Sequence, residues 1–300
     1  MRLRTAWTIL RDTIKALVSD ECLRMSAAVS YYTLLSLAPL LIIIVAVAGF
    51  WWNVSTTTEA LVDEMNRLIG APGAEVVKTI LQNAGRSDQG LTVGIVGLAT
   101  LLFGATAVFR SLQDAMNTIW NVQPRHEKRR WSFFRKRLLS MAMVAAVGFL
   151  LLVSLVVTMI LAAIRDYISS DWMAQIAFWQ ILNSVVSTVT AGLLFAGVFK
   201  YLPDVGVPWR EVLLGAGITA ILFTLGKSLF GIYVGSTGIG QAYGAAGSIV
   251  VFLVWVYYSA VILFVGAELT KVLARVRGST VEPAAHAQWL TQPLNDQPQK

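Results

Sequence analysis

The stretch AAGSIVVFLVWVYYSAVILFVGA, residues 245–267, contains no Asp, Glu, Lys or Arg and is long enough to cross a lipid bilayer as a helix. A bilayer core of about 30 Å requires about 20 helical residues, each adding about 1.5 Å. Helices of soluble proteins instead repeat apolar residues every three or four positions, so that only one face is apolar. The uninterrupted run therefore indicates a membrane span.

Five further apolar runs of similar length occur in the 300-residue chain, which is 56% hydrophobic and only 14% charged. The predicted spans are residues 26–50, 91–109, 138–164, 176–199, 212–233 and 245–267. Each must be a helix, because lipid offers the backbone no hydrogen-bond partners. The sequence predicts an all-α polytopic membrane protein, with a six-helix transmembrane domain over residues 26–277.

Positive charge is distributed unequally between the two sides of these spans. Of the 24 Lys and Arg residues, 19 lie before span 1, between spans 2 and 3, between spans 4 and 5, or after span 6. Cytoplasmic connections retain such charge, so both termini are predicted to be cytoplasmic. The basic loop 125–137 also carries aromatic residues, a pattern that fits anionic lipid headgroups better than nucleic acid, since no nucleic-acid recognition module accompanies it.

Three segments lie outside the spans. Residues 1–25 carry an apolar stripe (Leu3, Trp7, Leu10, Ile14 and Leu17), which predicts an amphipathic helix at the cytoplasmic membrane surface. The outer loop 51–90 has two amphipathic arms joined by a Gly-Ala-Pro-Gly turn at 70–73, which predicts a helical hairpin. Residues 278–300 are rich in Pro and Gln and are predicted to form a disordered cytoplasmic tail.

Residues for catalysis or metal binding are sparse. Cys22 is the only cysteine, and neither His126 nor His286 has metal-ligand spacing to a second candidate ligand. Acidic residues such as Asp204 and Glu268 lie at helical spacing from Lys200 and Lys271 respectively, which predicts local ion pairs. Gly226-Lys227-Ser228 lacks the earlier glycine of a phosphate-binding loop. We therefore expect no catalytic site, metal or cofactor.

Lys227 is the one Lys or Arg inside a predicted span. It is the sixteenth of the 22 residues of span 5, nearer the outer surface, and shares a helical face with the small residues Ala216, Ala220, Thr224 and Gly231. Small residues favour close helix packing, so this side chain is predicted to face the bundle interior. Simple snorkelling to the outer surface is the alternative.

Further polar residues occur in spans 1 and 4. Span 1 carries Ser30 and Thr33 and then Pro39, which leaves a backbone acceptor open and predicts a kink. Span 4 carries the polar residues Asn183, Ser187 and Thr190 at steps of four and three. With Lys227 these residues could line a substrate path through the bundle, or they could form interhelical hydrogen bonds that only hold the bundle together.

Several stretches resemble the YihY/BrkB family of bacterial inner-membrane proteins. They are 28–39 (AVSYYTLLSLAP), 110–120 (RSLQDAMNTIW), 201–204 (YLPD) with 208–210 (PWR), 215–216 (GA), 243–244 (YG), 255–258 (WVYY) and 266–269 (GAEL). Ala38 departs from the aromatic residue that relatives often carry there. The resemblance covers about residues 7–277 and implies a bacterial inner-membrane location and a role in the cell envelope or in transport, lipid movement included.

Members of this family have carried a ribonuclease label, which the lack of any acid–base or metal-ligand cluster argues against. From Lys227 we expect a transporter or flippase of an anionic amphiphile, most plausibly a lipid, because a cation inside an apolar bundle needs a compensating anion. Membrane lipids are then the expected partners. The alternatives are a non-catalytic scaffold or partner subunit of an envelope complex, and a membrane-embedded enzyme. Oligomeric state and energy source stay open.

Overall fold

The computed structural model describes residues 3–48, 90–125, 173–238 and 246–290, with the single residues 59, 62, 78 and 243. The helices are α1 (Leu3–Ser19), α2 (Cys22–Ala48), α3 (Gly90–Ile119), α4 (Met173–Tyr201), α5 (Trp209–Thr237) and α6 (Gly247–Val276). Two short strands, β1 (Val122–Pro124) and β2 (Ala287–Trp289), pair antiparallel. The described chain is mostly helical, as predicted, and the small sheet is an addition that the sequence did not predict.

The long helices α2 to α6 fall on predicted spans 1, 2, 4, 5 and 6. Among the described residues, three segments are long and apolar enough to cross a membrane: Ser184–Tyr201, Trp209–Thr237 and Ile249–Val276. Span 3 and the outer hairpin lie outside the described residues, apart from single positions in the hairpin. The count of six spans and the cytoplasmic placement of both termini stay predictions.

The chain divides into two compact units. The first contains Met1–Asp20, Gln113–Thr224 and Leu263–Lys300, and the second contains Glu21–Leu112 and Leu225–Ile262. Helices α3, α5 and α6 each contribute one part to each unit.

In the first unit, α1 packs against the end of α6. Ile9 is buried in a small apolar cluster with Val272 and Leu273. Trp7, Leu10 and Ile14, which belong to the predicted apolar stripe, are exposed on α1. These three apolar side chains are thus uncovered, while Ile9, on a different face of α1, packs against α6. Such an exposed apolar face suits a helix that lies in a membrane surface.

Helices α5 and α6 approach closely in the first unit through two reciprocal glycine–threonine contacts. A Cβ placed on Gly215 would lie 2.9 Å from the Cβ of Thr270, and a Cβ on Gly266 would lie 2.9 Å from the Cβ of Thr219. All four residues are buried. The absence of a side chain on each glycine therefore sets the separation of the two helices.

The segment after α6 is ordered as far as Leu290, so the prediction of disorder from residue 278 is wrong for that part. Strand β2 pairs with β1, Val205 bridges to Pro283, and the amide of Leu290 donates to the carbonyl of Asn121 at 2.8 Å. These backbone hydrogen bonds supply the order that the Pro- and Gln-rich composition did not suggest. Residues 291–300 lie outside the described part.

In the second unit, α2 contacts α3 and α5 contacts α6. A Cβ on Gly104 would lie 2.7 Å from the Cβ of Ser36, so α3 and α2 are in close contact there. The ring of Phe230 lies 5.0 Å from that of Trp255 and 6.1 Å from that of Tyr258, measured between centroids. Aromatic packing thus joins α5 and α6 in this unit, whereas small residues join them in the first.

Candidate functional site: polar residues of the spans and three buried carboxylates

Lys227 is exposed on α5. The residues that α5 turns toward α6 here are Gly226, on which a Cβ would lie 2.9 Å from Ile262, and Phe230, which packs on Trp255. Lys227 follows Gly226 directly and is therefore rotated by about 100° from that contact, at 3.6 residues per turn. Lys227 is thus exposed, whereas Ala216 and Ala220, which share its predicted helical face, are buried, and the inward orientation of Lys227 stays a prediction.

The large exposed side chains near Lys227 in sequence are aliphatic, but at 3.6 residues per turn they lie about 140–160° around α5 from it. Leu225, Leu229 and Ile232 are all exposed, with Leu229 63% and Ile232 69% accessible. These three residues belong to a segment long and apolar enough to cross a membrane. Lys227 is therefore an exposed ammonium group on the face opposite to the exposed aliphatic side chains.

The predicted polar residues of span 1 lie in α2. The Ser30 hydroxyl donates to the Ala27 carbonyl at 2.9 Å, and the Thr33 hydroxyl donates to the Val29 carbonyl at 2.8 Å. Each donor is thus used within its own helix, although the oxygen can still accept a hydrogen bond. Pro39 lies inside α2, which continues as a helix to Ala48, and the kink stays a prediction.

The predicted polar residues of span 4 lie in α4. Ser187 is exposed, Thr190 is half-buried, and the side chain of Asn183 is outside the described part. Thr188, which the sequence analysis did not single out, contacts Thr224 of α5 with 3.1 Å between the hydroxyl oxygens. Helices α4 and α5 are thus joined by a hydroxyl pair.

Asp204 is the centre of a buried polar cluster in the first unit. It lies just beyond the end of α4, and its carboxylate accepts from the amide of Asn117 at 2.9 Å and that of Gln113 at 3.3 Å. His286 Nε2 lies 2.9 Å from Asp204 Oδ1. Asn117 also accepts from the backbone amide of Asp204 at 2.9 Å. The cluster connects α3, the α4–α5 connection and the segment after α6.

Lys200 does not form the ion pair with Asp204 that its spacing predicted. Its ammonium donates to the Val207 carbonyl at 2.6 Å and lies 5.5 Å from the centre of the Trp209 ring. Helical spacing suggested the pair, but α4 ends at Tyr201, so Asp204 is not on the same helix. The ammonium group of Lys200 instead links the end of α4 to the short connection before α5 and to the first residue of α5.

Glu211 is a second buried carboxylate. It is only 1% exposed and lies in the first turn of α5. Arg277 donates to one of its oxygens and the Ser279 hydroxyl to the other, both at 3.1 Å. Both oxygens are thus satisfied, and the start of α5 is fixed to the end of α6.

Glu268 is the third buried carboxylate and differs from the other two. It is 0% exposed, and neither of its oxygens has a hydrogen-bond partner. Lys271 Nζ lies 3.6 Å from its Oε2, as the i,i+3 spacing predicted, and 3.1 Å from Asp20 Oδ2. Two carboxylates therefore share one ammonium.

Most of these contacts were missed from the sequence, although a signal for one of them was present. The two stretches 110–120 and 201–204, quoted for the family resemblance, are the ones that Asn117 and Asp204 bring together. The partners of Glu211 are about 66 positions away, beyond the reach of helical spacing. Among the described residues, no three His, Cys, Asp or Glu side chains are grouped to hold a metal ion.

Long helices, three of them with segments apolar enough to cross a membrane, are typical of an integral membrane protein of the helical class. The profile of the virulence factor BrkB family matches residues 13–290. The chain belongs to this family, which confirms the YihY/BrkB resemblance.

The relatives are described as membrane proteins. A UPF0761 membrane protein of Alkalilimnicola ehrlichii is 34% identical over 85% of this chain and 56% of its own length. One from Halorhodospira halophila is 25% identical over 92% of this chain and 59% of its own length, and one from Psychromonas ingrahamii is 28% identical over 81% and 80%. The chain thus spans less than two thirds of the first two relatives. No solved structure matches it.

Proposed function

We propose that this chain moves an anionic amphiphile of the lipid class across the bacterial inner membrane, with Lys227 binding the headgroup. The observation that carries the proposal is the exposure of Lys227 on a helix that is apolar enough to cross a membrane. The proposal includes six spans with both termini in the cytoplasm. It also takes membrane lipids as the partners of the chain.

The energetic argument concerns the ammonium group. A lysine at the centre of a transmembrane helix costs about 2.5–3.5 kcal/mol, which falls as the side chain reaches the interface. Lys227 lies nearer the outer end of its predicted span, so its flexible stem can bring the charge to the phosphate level of the outer leaflet. An anionic headgroup there compensates the charge, while its acyl chains stay in the surrounding lipid.

On the sequence pattern alone, the proposal also includes the hydroxyl groups of spans 1 and 4. Ser30 and Thr33 use their protons within α2, which leaves oxygen lone pairs to accept from the hydroxyl or ammonium groups of a headgroup. Ser187 is exposed on α4, and Asn183 and Thr190 follow the same predicted stripe. Movement without an ATP-binding motif would be downhill or coupled to an ion or a partner.

A second candidate is a non-catalytic scaffold or partner subunit of an envelope complex. The observation that favours it is that the hydroxyls of Ser30, Thr33 and Thr224 all donate to carbonyls of their own helices. The contact between Thr188 and Thr224 then serves only to hold α4 against α5. We also propose that the chain lacks intrinsic nuclease activity, on the sequence argument alone.

Lipid binding by the purified full chain tests the headgroup proposal. Native mass spectrometry would compare retention of an anionic phospholipid, phosphatidylglycerol, with that of zwitterionic phosphatidylethanolamine. One lysine near an anionic surface contributes about 1 kcal/mol, or about fivefold in affinity. Lys227→Met should weaken phosphatidylglycerol binding by about that factor and leave phosphatidylethanolamine binding unchanged, whereas Lys227→Arg should retain both.

The matched control is Arg210→Met, which removes one exposed cation from the other end of the same helix. It separates loss of the Lys227 site from loss of overall positive charge. Equal weakening in Arg210→Met and Lys227→Met, or no weakening in either variant, would contradict a headgroup site at Lys227.

A further inference from the structure

Glu268 combines complete burial with unsatisfied oxygens. Its residue exposure is 0%, and both carboxylate oxygens lack a hydrogen-bond partner. An ionised carboxylate buried in this way loses its hydration without replacement, and such a group usually becomes neutral instead. Glu211 and Asp204, the other buried carboxylates described above, are each bonded by at least two side chains. Glu268 is thus the exception among the three.

The nearby ammonium of Lys271 does not compensate Glu268 fully, because it is shared. Lys271 Nζ is within hydrogen-bond distance of Asp20 at 3.1 Å but lies 3.6 Å from Glu268. With both carboxylates ionised, the cluster would carry a net charge of −1 in a buried position. Addition of one proton to Glu268 leaves an Asp20–Lys271 ion pair beside a neutral acid.

The elements packed around the end of α6 bring no further cation to Glu268 in the described part of the chain. Helix α5 contributes Gly215 and Thr219 to the neighbouring contact, and its Glu211 is bound by Arg277 and Ser279. Helix α1 contacts α6 through the apolar Ile9. Of the charged residues of α1, Arg11 and Lys15 are exposed and Asp12 is half-buried.

We infer that Glu268 is a proton-binding carboxyl group, reached from water through Asp20 and Lys271. The side chains of Asp20 and Lys271 are 18% and 12% exposed, so they connect the fully buried Glu268 to the surface. A proton taken from water adds to a Glu268 carboxylate oxygen, and the cluster changes from −1 to neutral. A metal cation fits less well, because the Lys271 ammonium would repel it and few oxygen ligands surround the site.

A proton site at this position goes beyond the lipid proposal and does not depend on it. If the chain is a transporter, the site supplies a group whose charge could be coupled to movement. If the chain is a scaffold, the same site would make packing at the end of α6 depend on pH. A measurement of protonation itself therefore distinguishes failure of this inference from failure of the transport proposal.

Infrared difference spectroscopy of the full chain in nanodiscs, titrated with alkali and acid, detects the carbonyl band of a protonated carboxylic acid. Glu268→Gln should remove one such band at neutral pH and keep the fold, because the amide has the shape of the neutral acid. Glu211→Gln is the control, since Glu211 is equally buried but bonded to Arg277 and Ser279. It should leave the band in place. A band that survives in Glu268→Gln, or is missing from the wild type at neutral pH, would overturn the inference.

A second variant keeps Glu268 itself in place. Asp20→Asn removes the competing carboxylate, so Lys271 becomes available to Glu268, and the acid band should disappear at lower pH than in the wild type. An unchanged pH dependence in Asp20→Asn would also overturn the inference. Tryptophan fluorescence during heating checks that each variant is folded.

Discussion

Asn117 holds Asp204 through two hydrogen bonds, one from its amide nitrogen to the carboxylate and one to its oxygen from the Asp204 backbone amide. Both residues are buried, at 5% and 6% exposure. A buried group that loses its partner costs about 1–3 kcal/mol, more when the group is charged. The stability of the first unit should therefore depend strongly on this single amide.

We predict that Asn117→Ala lowers the stability of the purified protein by about 2 kcal/mol, because it leaves a carboxylate oxygen and a backbone amide without their partner. The measurement is the unfolding temperature in detergent, followed by tryptophan fluorescence. Thr118→Ala serves as the control, because the Thr118 hydroxyl is exposed and bonds only within its own helix. Equal unfolding temperatures for Asn117→Ala and Thr118→Ala would contradict the role given to Asn117.

The contacts of single residues differ in how far the sequence could predict them. The pairing of Glu268 with Lys271 was predictable, because both lie on one helix at a spacing of three. The partners of Asp204 were not, because Asn117 and His286 are 87 and 82 positions away. The exposure of Lys227 was not predictable either, because it depends on which helices pack against this turn of α5.

At the scale of elements, α5 and α6 approach closely in the first unit. Gly215 faces Thr270, and Gly266 faces Thr219, so each threonine occupies the space that a glycine leaves. The threonine hydroxyls donate to the carbonyls of Gly215 and Gly266 at 2.7 Å. Each hydroxyl is therefore satisfied within its own helix while its side chain fills the interface.

Gly215→Ala should destabilise the protein by about 1–3 kcal/mol, the usual cost of overpacking, because the new methyl group would lie 2.9 Å from the Cβ of Thr270. Gly217→Ala, two residues further along α5, has no atom within 4 Å of the added Cβ and should be neutral or stabilising, since alanine favours helix. Unfolding temperatures of the two variants provide the comparison. A Gly217→Ala variant as unstable as Gly215→Ala would contradict the close contact.

The helices and the small sheet differ in how far the sequence predicted them. Helices α2 to α6 were predictable, because a bilayer demands about 20 apolar residues per span. The order of residues 279–290 was not, because it depends on hydrogen bonds to distant backbone, such as Ala284 to Asp204 and Leu290 to Asn121. The Pro- and Gln-rich composition of this segment does not indicate such hydrogen-bond partners.

At the scale of the whole molecule, the chain is an integral membrane protein of the BrkB family. In the first unit, hydrogen bonds to Asp204 and Glu211 fix helix ends and connections. Lys227 is an exposed cation on α5, a helix apolar enough to cross a membrane. The proposed transport of an anionic amphiphile therefore depends on Lys227 more than on any other described residue.

Lipid translocation in proteoliposomes is the measurement that tests this claim most directly. The full chain would be reconstituted with fluorescent phosphatidylglycerol or phosphatidylethanolamine in one leaflet, and the arrival of the label in the other leaflet would be followed with and without a pH gradient. The account predicts that the wild type accelerates movement of the anionic lipid. Lys227→Met should slow it by about fivefold, and Lys227→Arg should retain it. No acceleration by the wild type, or equal rates for the wild type and Lys227→Met, would contradict the account.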